Sequence, residues 1–369
     1  MSHASKWRDE TGFFEAMKIL LLGAGASKAA CYPLASQLME AVKAEAEGPS
    51  RRIVLVSQDW AKWRLFKDSV PGAAKALLDD PNPEVVLSFL DLCAESHTQA
   101  AGAAGEVSAA RGARDSFLRC LEYFFQVKHI DDSNNRWRRD YLRPVLADLR
   151  SGDAVITFNW DTTIERTLYE DGGWSRWNPV AGYGFRKELC QGLDNSGVTP
   201  HGPLPTGLDV ASEIKVLKLH GSVGWYDAGG DRLYFSKDYF LDWFDFPQSA
   251  EPLSLFDPLA PSIGPERRAV WAYPSFLKRI RGDEMRQVWR LADEALRQAK
   301  TVEVWGYSLP ESDSAARVLL NVLPDRIKRC EEVTISVHIY GDRPEAGKAR
   351  DRWRNLLGKP ECVDDRGLG

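Results

Sequence analysis

Lys18-Ile19-Leu20-Leu21-Leu22-Gly23-Ala24-Gly25-Ala26-Ser27 is the stretch on which the reading of the fold turns. Its apolar run is far too short to cross a membrane and ends in glycine, as a buried strand does when it enters a turn. A helical pattern resumes near Leu34. Glycine permits the tight turn and lets backbone N–H groups approach a phosphate, and the positive end of a following helix favours an anion. The same residues also fit a plain strand-to-helix turn capped by Ser27. The full G-x-G-x-x-G fingerprint is absent, because Lys28 and Ala29 stand where a third glycine would fall.

Moving outward, four more apolar runs lead into polar or glycine-rich turns: Ala154–Phe158, Ile214–Leu219, Thr301–Trp305 and Val333–Tyr340, after the first at Met17–Leu22. Amphipathic stretches separate them. From Asp283 to Lys300, the residues Met285, Val288, Leu291, Ala292, Ala295 and Ala299 form one apolar stripe, and Ala315, Ala316, Leu319, Val322 and Leu323 repeat it. Strand–helix alternation predicts an α/β fold, a Rossmann-like parallel sheet with helices on both faces. The long interval before Ala154 breaks the rhythm. It carries candidate helices at Leu34–Ala46, Glu84–Glu95, Ser108–Val127 and Trp137–Leu149, far more than one crossover needs. Residues 15–40 and 150–369 are therefore expected to form the sheet domain, with 41–149 as an inserted helical module. Gln99–Ala113 reads as an exposed loop or a weak helix start, and Asp171–Thr206 as loops near the carboxyl edge of the sheet.

Lys plus Arg number 48 against 53 Asp plus Glu, a net charge of −5 that argues against a general polyanion binder. No run suits a membrane helix, and no cationic segment precedes an apolar one in the manner of a signal peptide, so a cytoplasmic protein is expected. Cys31, Cys93, Cys120, Cys190, Cys330 and Cys362 are dispersed with no C-x₂-C spacing. Neither a zinc module nor a disulfide framework is expected, only scattered buried thiols. Arg136-Trp137-Arg138-Arg139 is a basic cluster that suits nucleic acid or the solvated start of a helix.

Two further motifs carry chemistry. Ala154-Val155-Ile156-Thr157-Phe158-Asn159-Trp160-Asp161 sets an amide and a carboxylate just past a strand, at the edge where open α/β sheets bind ligands. Capping accounts equally well for Asp161, and Thr162 with Glu165 fits a capping box, but Asn159 sits one step too early for that role. In Ile214-Lys215-Val216-Leu217-Lys218-Leu219-His220-Gly221-Ser222, His220 follows a strong strand and precedes a glycine. An imidazole there suits general-base work, or packs as a structural histidine.

Taken in order, Gly23-Ala24-Gly25-Ala26-Ser27, Thr157-Phe158-Asn159-Trp160-Asp161, Lys218-Leu219-His220-Gly221-Ser222 and Gly306-Tyr307-Ser308 resemble the motif series of the sirtuin superfamily. Tyr32-Pro33-Leu34-Ala35 and Gly306-Tyr307-Ser308-Leu309-Pro310-Glu311-Ser312-Asp313 are similar to its bacterial branch associated with antiphage defence. The resemblance implies NAD as the substrate, with no zinc. Gly23, Gly25 and Ser27 would hold its pyrophosphate, with Ala24 and Ala26 lending backbone and Thr157 within the same set. Asn159 and Asp161 would line the nicotinamide-ribose end, and His220 would be the base. Gly306 and Ser308 would support the ribose and phosphate side, and Asp342 the adenosine ribose. Asp342 also fits a helix cap, and Ser308 with Glu311 a capping box.

Departures from the protein-deacylating sirtuins point away from deacylation. Paired Cys-x-x-Cys is absent, and Ala30-Cys31-Tyr32-Pro33-Leu34 stands where they carry Asp-Phe-Arg. The expected activity is hydrolysis of NAD to nicotinamide and ADP-ribose, depleting NAD in antiphage defence and gated by assembly or a partner. A non-catalytic NAD or ADP-ribose sensor or scaffold, and an NAD-dependent deacylase or ADP-ribosyl transferase, are the alternatives. By the same resemblance, partners include further copies of the chain, a helicase-like ATPase or a short Argonaute.

Overall fold

In the computed structural model, the described residues are 17–48, 54–95, 107–133, 140–184, 211–227, 233–235, 268–271, 283–339, 341 and 344–364. Strand β1 (Lys18–Leu22) enters a short helix, α1 (Ala24–Ser27). Helices α2 (Ala35–Glu47), α3 (Val54–Ser69), α4 (Gly72–Leu78), α5 (Pro83–Glu95), α6 (Val107–Ser133) and α7 (Arg143–Ala147) follow before β2 (Ala154–Thr157). Next come α8 (Thr163–Arg176), α9 (Pro179–Gly182) and β3 (Lys215–Lys218). A small sheet of β4 (Gly221–Asp227), β5 (Leu233–Phe235) and β6 (Arg268–Trp271) precedes α10 (Asp283–Gln298) and β7 (Thr301–Trp305). The chain continues with α11 (Ser314–Leu320), α12 (Val322–Lys328), β8 (Thr334–His338), α13 (Pro344–Leu357) and β9 (Val363–Asp364).

The main sheet has six strands in the order β3-β2-β1-β7-β8-β9, all parallel. Successive strand residues point to opposite faces, yet Ile19 to Leu22 and Ala154 to Thr157 are all 0% exposed, so helices cover both faces at the centre. On β7 the burial alternates: Val302 and Val304 are buried while Thr301, Glu303 and Trp305 are half-buried, with Glu303 paired to Lys18 at 3.0 Å. The expected Rossmann-like sheet is present. Its central strands coincide with the apolar runs, trimmed by a residue or two where the ladder ends.

The helical stretch between β1 and β2 packs chiefly through α3 and α5 against α6. Trp60, Trp63, Phe66, Leu87, Leu90, Phe117, Leu121 and Phe124 are among the buried residues of these helices. Helices α3 and α4 were not expected. The candidate helix Trp137–Leu149 is reduced to α7, because Pro144 fixes the first turn, and residues 134–139 lie outside the described residues. The second half of Gln99–Ala113 is helical, as the start of α6. The start of Asp171–Thr206 continues α8 across a break at Gly172 and Gly173.

The antiparallel sheet β5-β4-β6 was not foreseen either. Gly221 and Gly224 weaken the strand signal of β4, whose register shifts between Gly221 and Tyr226. Cys93 and Cys120 are buried, and burial pushes the Cys120 thiol up to about 12. Cys31 and Cys330 are exposed instead of buried, each at a turn position with φ 65° and 55°, and Cys362 is half-buried. Cys190 lies outside the described residues. Among the described residues, no helix is long and apolar enough to cross a membrane.

Candidate functional site

The strand order reverses between β1 and β7, where open α/β sheets form a crevice at their carboxyl ends. Two glycine turns meet there. Gly23 N–H donates to Trp305 O and Gly25 N–H to Gly306 O, both at 3.0 Å. A Cβ on Gly25 would lie 2.8 Å from Gly306 Cα, and one on Gly306 would lie 2.5 Å from Ala26 N. Gly306 also has φ +63°, a conformation that favours glycine. Close backbone packing of one turn on the other is thus a sufficient reason for these glycines. Ala26 N–H donates to Gly23 O at 2.8 Å, so the amides of Gly23, Gly25 and Ala26 are engaged within the chain, while Ala24 is exposed at the rim.

Asn159 is built into the same junction. Thr157 Oγ1 donates to Leu22 O at 3.1 Å and accepts from Asn159 N–H at 3.1 Å, which fixes the backbone as it leaves β2. Asn159 Nδ2 then donates to Gly23 O at 2.9 Å and to Ser27 Oγ at 2.8 Å. Both amide hydrogens are committed, so Oδ1 is the atom this side chain offers to another donor. Ser27 therefore serves Asn159 and does not act as a helix cap, since it makes no cap hydrogen bond.

Asp161 has a folding role. Its Oδ1 accepts from Thr163 N–H at 3.0 Å at the start of α8, and its carbonyl accepts from Lys218 Nζ. The capping box of Thr162 with Glu165 does not form. Glu165 pairs instead with Lys218 at 2.8 Å and accepts from Tyr183 OH at 3.0 Å, all fully buried. Burial raises the Glu165 carboxyl above its usual range against the pull of Lys218.

His220 follows the end of β3 as Asn159 follows the end of β2. Thr157 and Lys218 are register partners, and each residue lies two positions beyond its partner on neighbouring parallel strands. His220 is 4% exposed, and its Nε2 lies 2.9 Å from Asp313 Oδ2, which also accepts from Tyr307 OH at 3.0 Å. The Phe158 ring meets His220 edge-on at 5.0 Å and stacks on Tyr307 at 4.0 Å. Behind them, Trp289 Nε1 donates to Leu219 O and Trp353 Nε1 to Tyr307 O. The segment Gly306–Asp313 therefore reaches from the end of β7 to the end of β3.

Asp313 was not foreseen as a site residue. The signal available was an N-cap pattern before Ser314-Ala315-Ala316, and Asp313 Oδ1 does accept from Ala316 N–H at 3.2 Å. Its second oxygen meets a residue 93 positions away, which no local pattern reveals.

The capping box that Ser308 and Glu311 could have formed is absent, because the helix begins only at Ser314. Ser308 is exposed, and its carbonyl accepts from Arg352 Nε at 2.9 Å. Asp342 and the cluster Arg136–Arg139 lie outside the described residues. Gly23, Gly25, Ser27, Thr157, Asn159 and Gly306 thus form one bonded junction. His220 belongs to a second group with Phe158, Tyr307 and Asp313, linked to the first through the chain neighbours Phe158–Asn159 and Gly306–Tyr307. Among the described residues, no group of three or more His, Cys, Asp or Glu side chains is placed to hold a metal ion. No protein-family model and no curated protein matches the chain.

Proposed function

We propose that the chain hydrolyses NAD to nicotinamide and ADP-ribose, with Asn159 and His220 as the working pair. The observation that carries this reading is Asn159 itself, locked by two donated hydrogen bonds where the strand order reverses, and standing two residues past Thr157 as His220 stands two past its register partner Lys218. Cleaving the nicotinamide–ribose bond passes through an oxocarbenium-like state, and nicotinamide departs neutral, so no general acid is required. The C–N bond breaks with its electron pair going to nicotinamide, a water oxygen bonds to the anomeric carbon, and the base takes the water's proton. Asn159 Oδ1 accepts from that water or a ribose hydroxyl, and His220 is the base toward one of them. With the amides of Gly23, Gly25 and Ala26 engaged within the chain, this reading leaves phosphate contacts to the exposed Ala24 and the turn after β7.

Chromatography of NAD incubated with the purified chain tests the reading. Nicotinamide and ADP-ribose should accumulate, and Asn159→Ala and His220→Ala should each lower the rate at least about 100-fold with the fold retained. Full activity in both variants removes the mechanism. NAD that binds and stays intact supports a sensor or scaffold, while consumption only with acylated peptide supports a deacylase.

A further inference from the structure

We infer that Asp313 is a positioning residue for His220: held from two sides, it keeps the imidazole proton on Nε2 and presents Nδ1 as the basic nitrogen. This rests on the reading of His220 as the base. Asp313 is 0% exposed, and its oxygens have separate duties. Oδ1 accepts from Ala316 N–H at 3.2 Å, anchoring the carboxylate to the first turn of α11. Oδ2 accepts from Tyr307 OH at 3.0 Å and faces His220 Nε2 at 2.9 Å. An ionised carboxylate only accepts hydrogen bonds, so the ring nitrogen facing it carries the proton.

Tyr307 reinforces the arrangement. Burial and the neighbouring Asp313 carboxylate push its phenol well above the ordinary range, so it remains a donor to Oδ2. The imidazole is also clamped, with Phe158 edge-on at 5.0 Å and that ring stacked on Tyr307 with an interplanar angle of 10°. Rotating the ring or moving its proton breaks the contact to Asp313. When Nδ1 takes a proton from water or a ribose hydroxyl, the ring becomes cationic, and the carboxylate already in contact balances that charge. The same physics holds the histidine of a serine-protease triad in its working tautomer.

A purely structural Asp313 would cap α11 and do nothing else. Asp313→Asn separates the two roles: it keeps an acceptor for Ala316 N–H but turns an NH₂ group toward Tyr307 and His220. Nε2 must then accept, which moves the proton to Nδ1. Nitrogen-15 spectra of the ligand-free protein report the tautomer directly, with the His220 signals assigned from their loss in His220→Gln. We expect Nε2–H in the wild type and Nδ1–H in Asp313→Asn, with kcat for nicotinamide release at least about 100-fold lower and KM within about threefold.

A wild-type ring protonated on Nδ1 overturns the inference, as does an Asp313→Asn variant of an active enzyme with unchanged kcat. If Asp313→Asn does not fold, the wild-type tautomer decides alone. If the tautomer moves as expected while the wild type releases no nicotinamide, NAD hydrolysis fails as the function and the Asp313–His220 pairing stands.

Discussion

Gly306 shows how a single residue answers two demands at once. It sits at φ +63°, and an added Cβ would fall 2.5 Å from Ala26 N, whereas Gly25 has only the steric demand, 2.8 Å to Gly306 Cα. Left-handed strain and overpacking each cost about 1–3 kcal/mol. Gly306→Ala should therefore destabilise more than Gly25→Ala in urea unfolding. Gly152→Ala, where φ is +94° but nothing lies within 4 Å, serves as the control for strain without crowding. Equal losses at Gly25 and Gly306 would sink the claim that left-handed strain adds to crowding at Gly306. Glu122, half-buried on α6, makes a separate residue-scale case. Burial pushes its carboxyl up to about 7, against the pull of Arg119. The unfolded value is about 4.3, so the folded chain holds this proton more tightly. The resulting stability is complete below the unfolded value and is lost as pH rises through the folded one. Glu122→Gln cannot ionise, so it should shrink the drop in urea midpoint between about pH 5 and about pH 8. An identical drop in both proteins would refute the assignment.

Between elements, Lys218 of β3 is the tie that matters most. It pairs with Glu165 of α8, donates to the Asp161 carbonyl, and shares Glu165 with Tyr183, all out of contact with water. Removing one member of a buried pair costs about 3–5 kcal/mol because the other charge is left uncompensated, whereas replacing both with apolar groups is far milder. Lys218→Met should therefore lower the denaturant midpoint sharply, and Lys218→Met with Glu165→Leu should recover part of the loss. A double variant less stable than the single one contradicts the account. None of this was legible from Lys218 in the sequence, where an amphiphilic lysine inside an apolar run looks like an edge residue. The central strands were legible because Ile19–Leu22 and Ala154–Thr157 are apolar on both faces, a pattern set by coverage alone. Helix α3 was readable in principle: Trp60, Trp63, Phe66 and Val70 recur at near-helical spacing and are all buried. Strand β4 was not, since its two glycines conceal a ladder that only its partners define. Asn159 and His220 stood out because each ends a strand, but Asp313 acquires its meaning only once the turn after β7 has crossed the sheet edge.

At the scale of the whole molecule, the chain between β1 and β2 touches the β1 turn, the loop after β2 and the loop after β7. Tyr141 OH donates to Ala26 O, Phe125 meets Trp160 edge-on with ring centres 5.9 Å apart, and Glu84 at the start of α5 accepts from Ser312 Oγ at 3.1 Å. Ser312 precedes Asp313, so the position of α5 bears on the loop that holds His220. On the proposed reading a free-running NAD hydrolase would exhaust its own cell, and the Ser312–Glu84 contact is where the helices between β1 and β2 could act on the proposed base. Because Asp313 is engaged with His220 while Glu84 holds Ser312, the contact supports the geometry proposed as active, and loosening it should slow the proposed hydrolysis. Ser312→Ala deletes the hydroxyl alone. We expect kcat for nicotinamide release to fall about 3- to 10-fold, equivalent to about 0.6–1.4 kcal/mol of barrier, while one half-buried hydrogen bond costs the fold no more than about 1 kcal/mol. Paired measurements of NAD turnover and urea unfolding check both numbers. A faster variant would reverse the sign of the coupling and make the helices a brake, and an unchanged rate would sever α5 from the site.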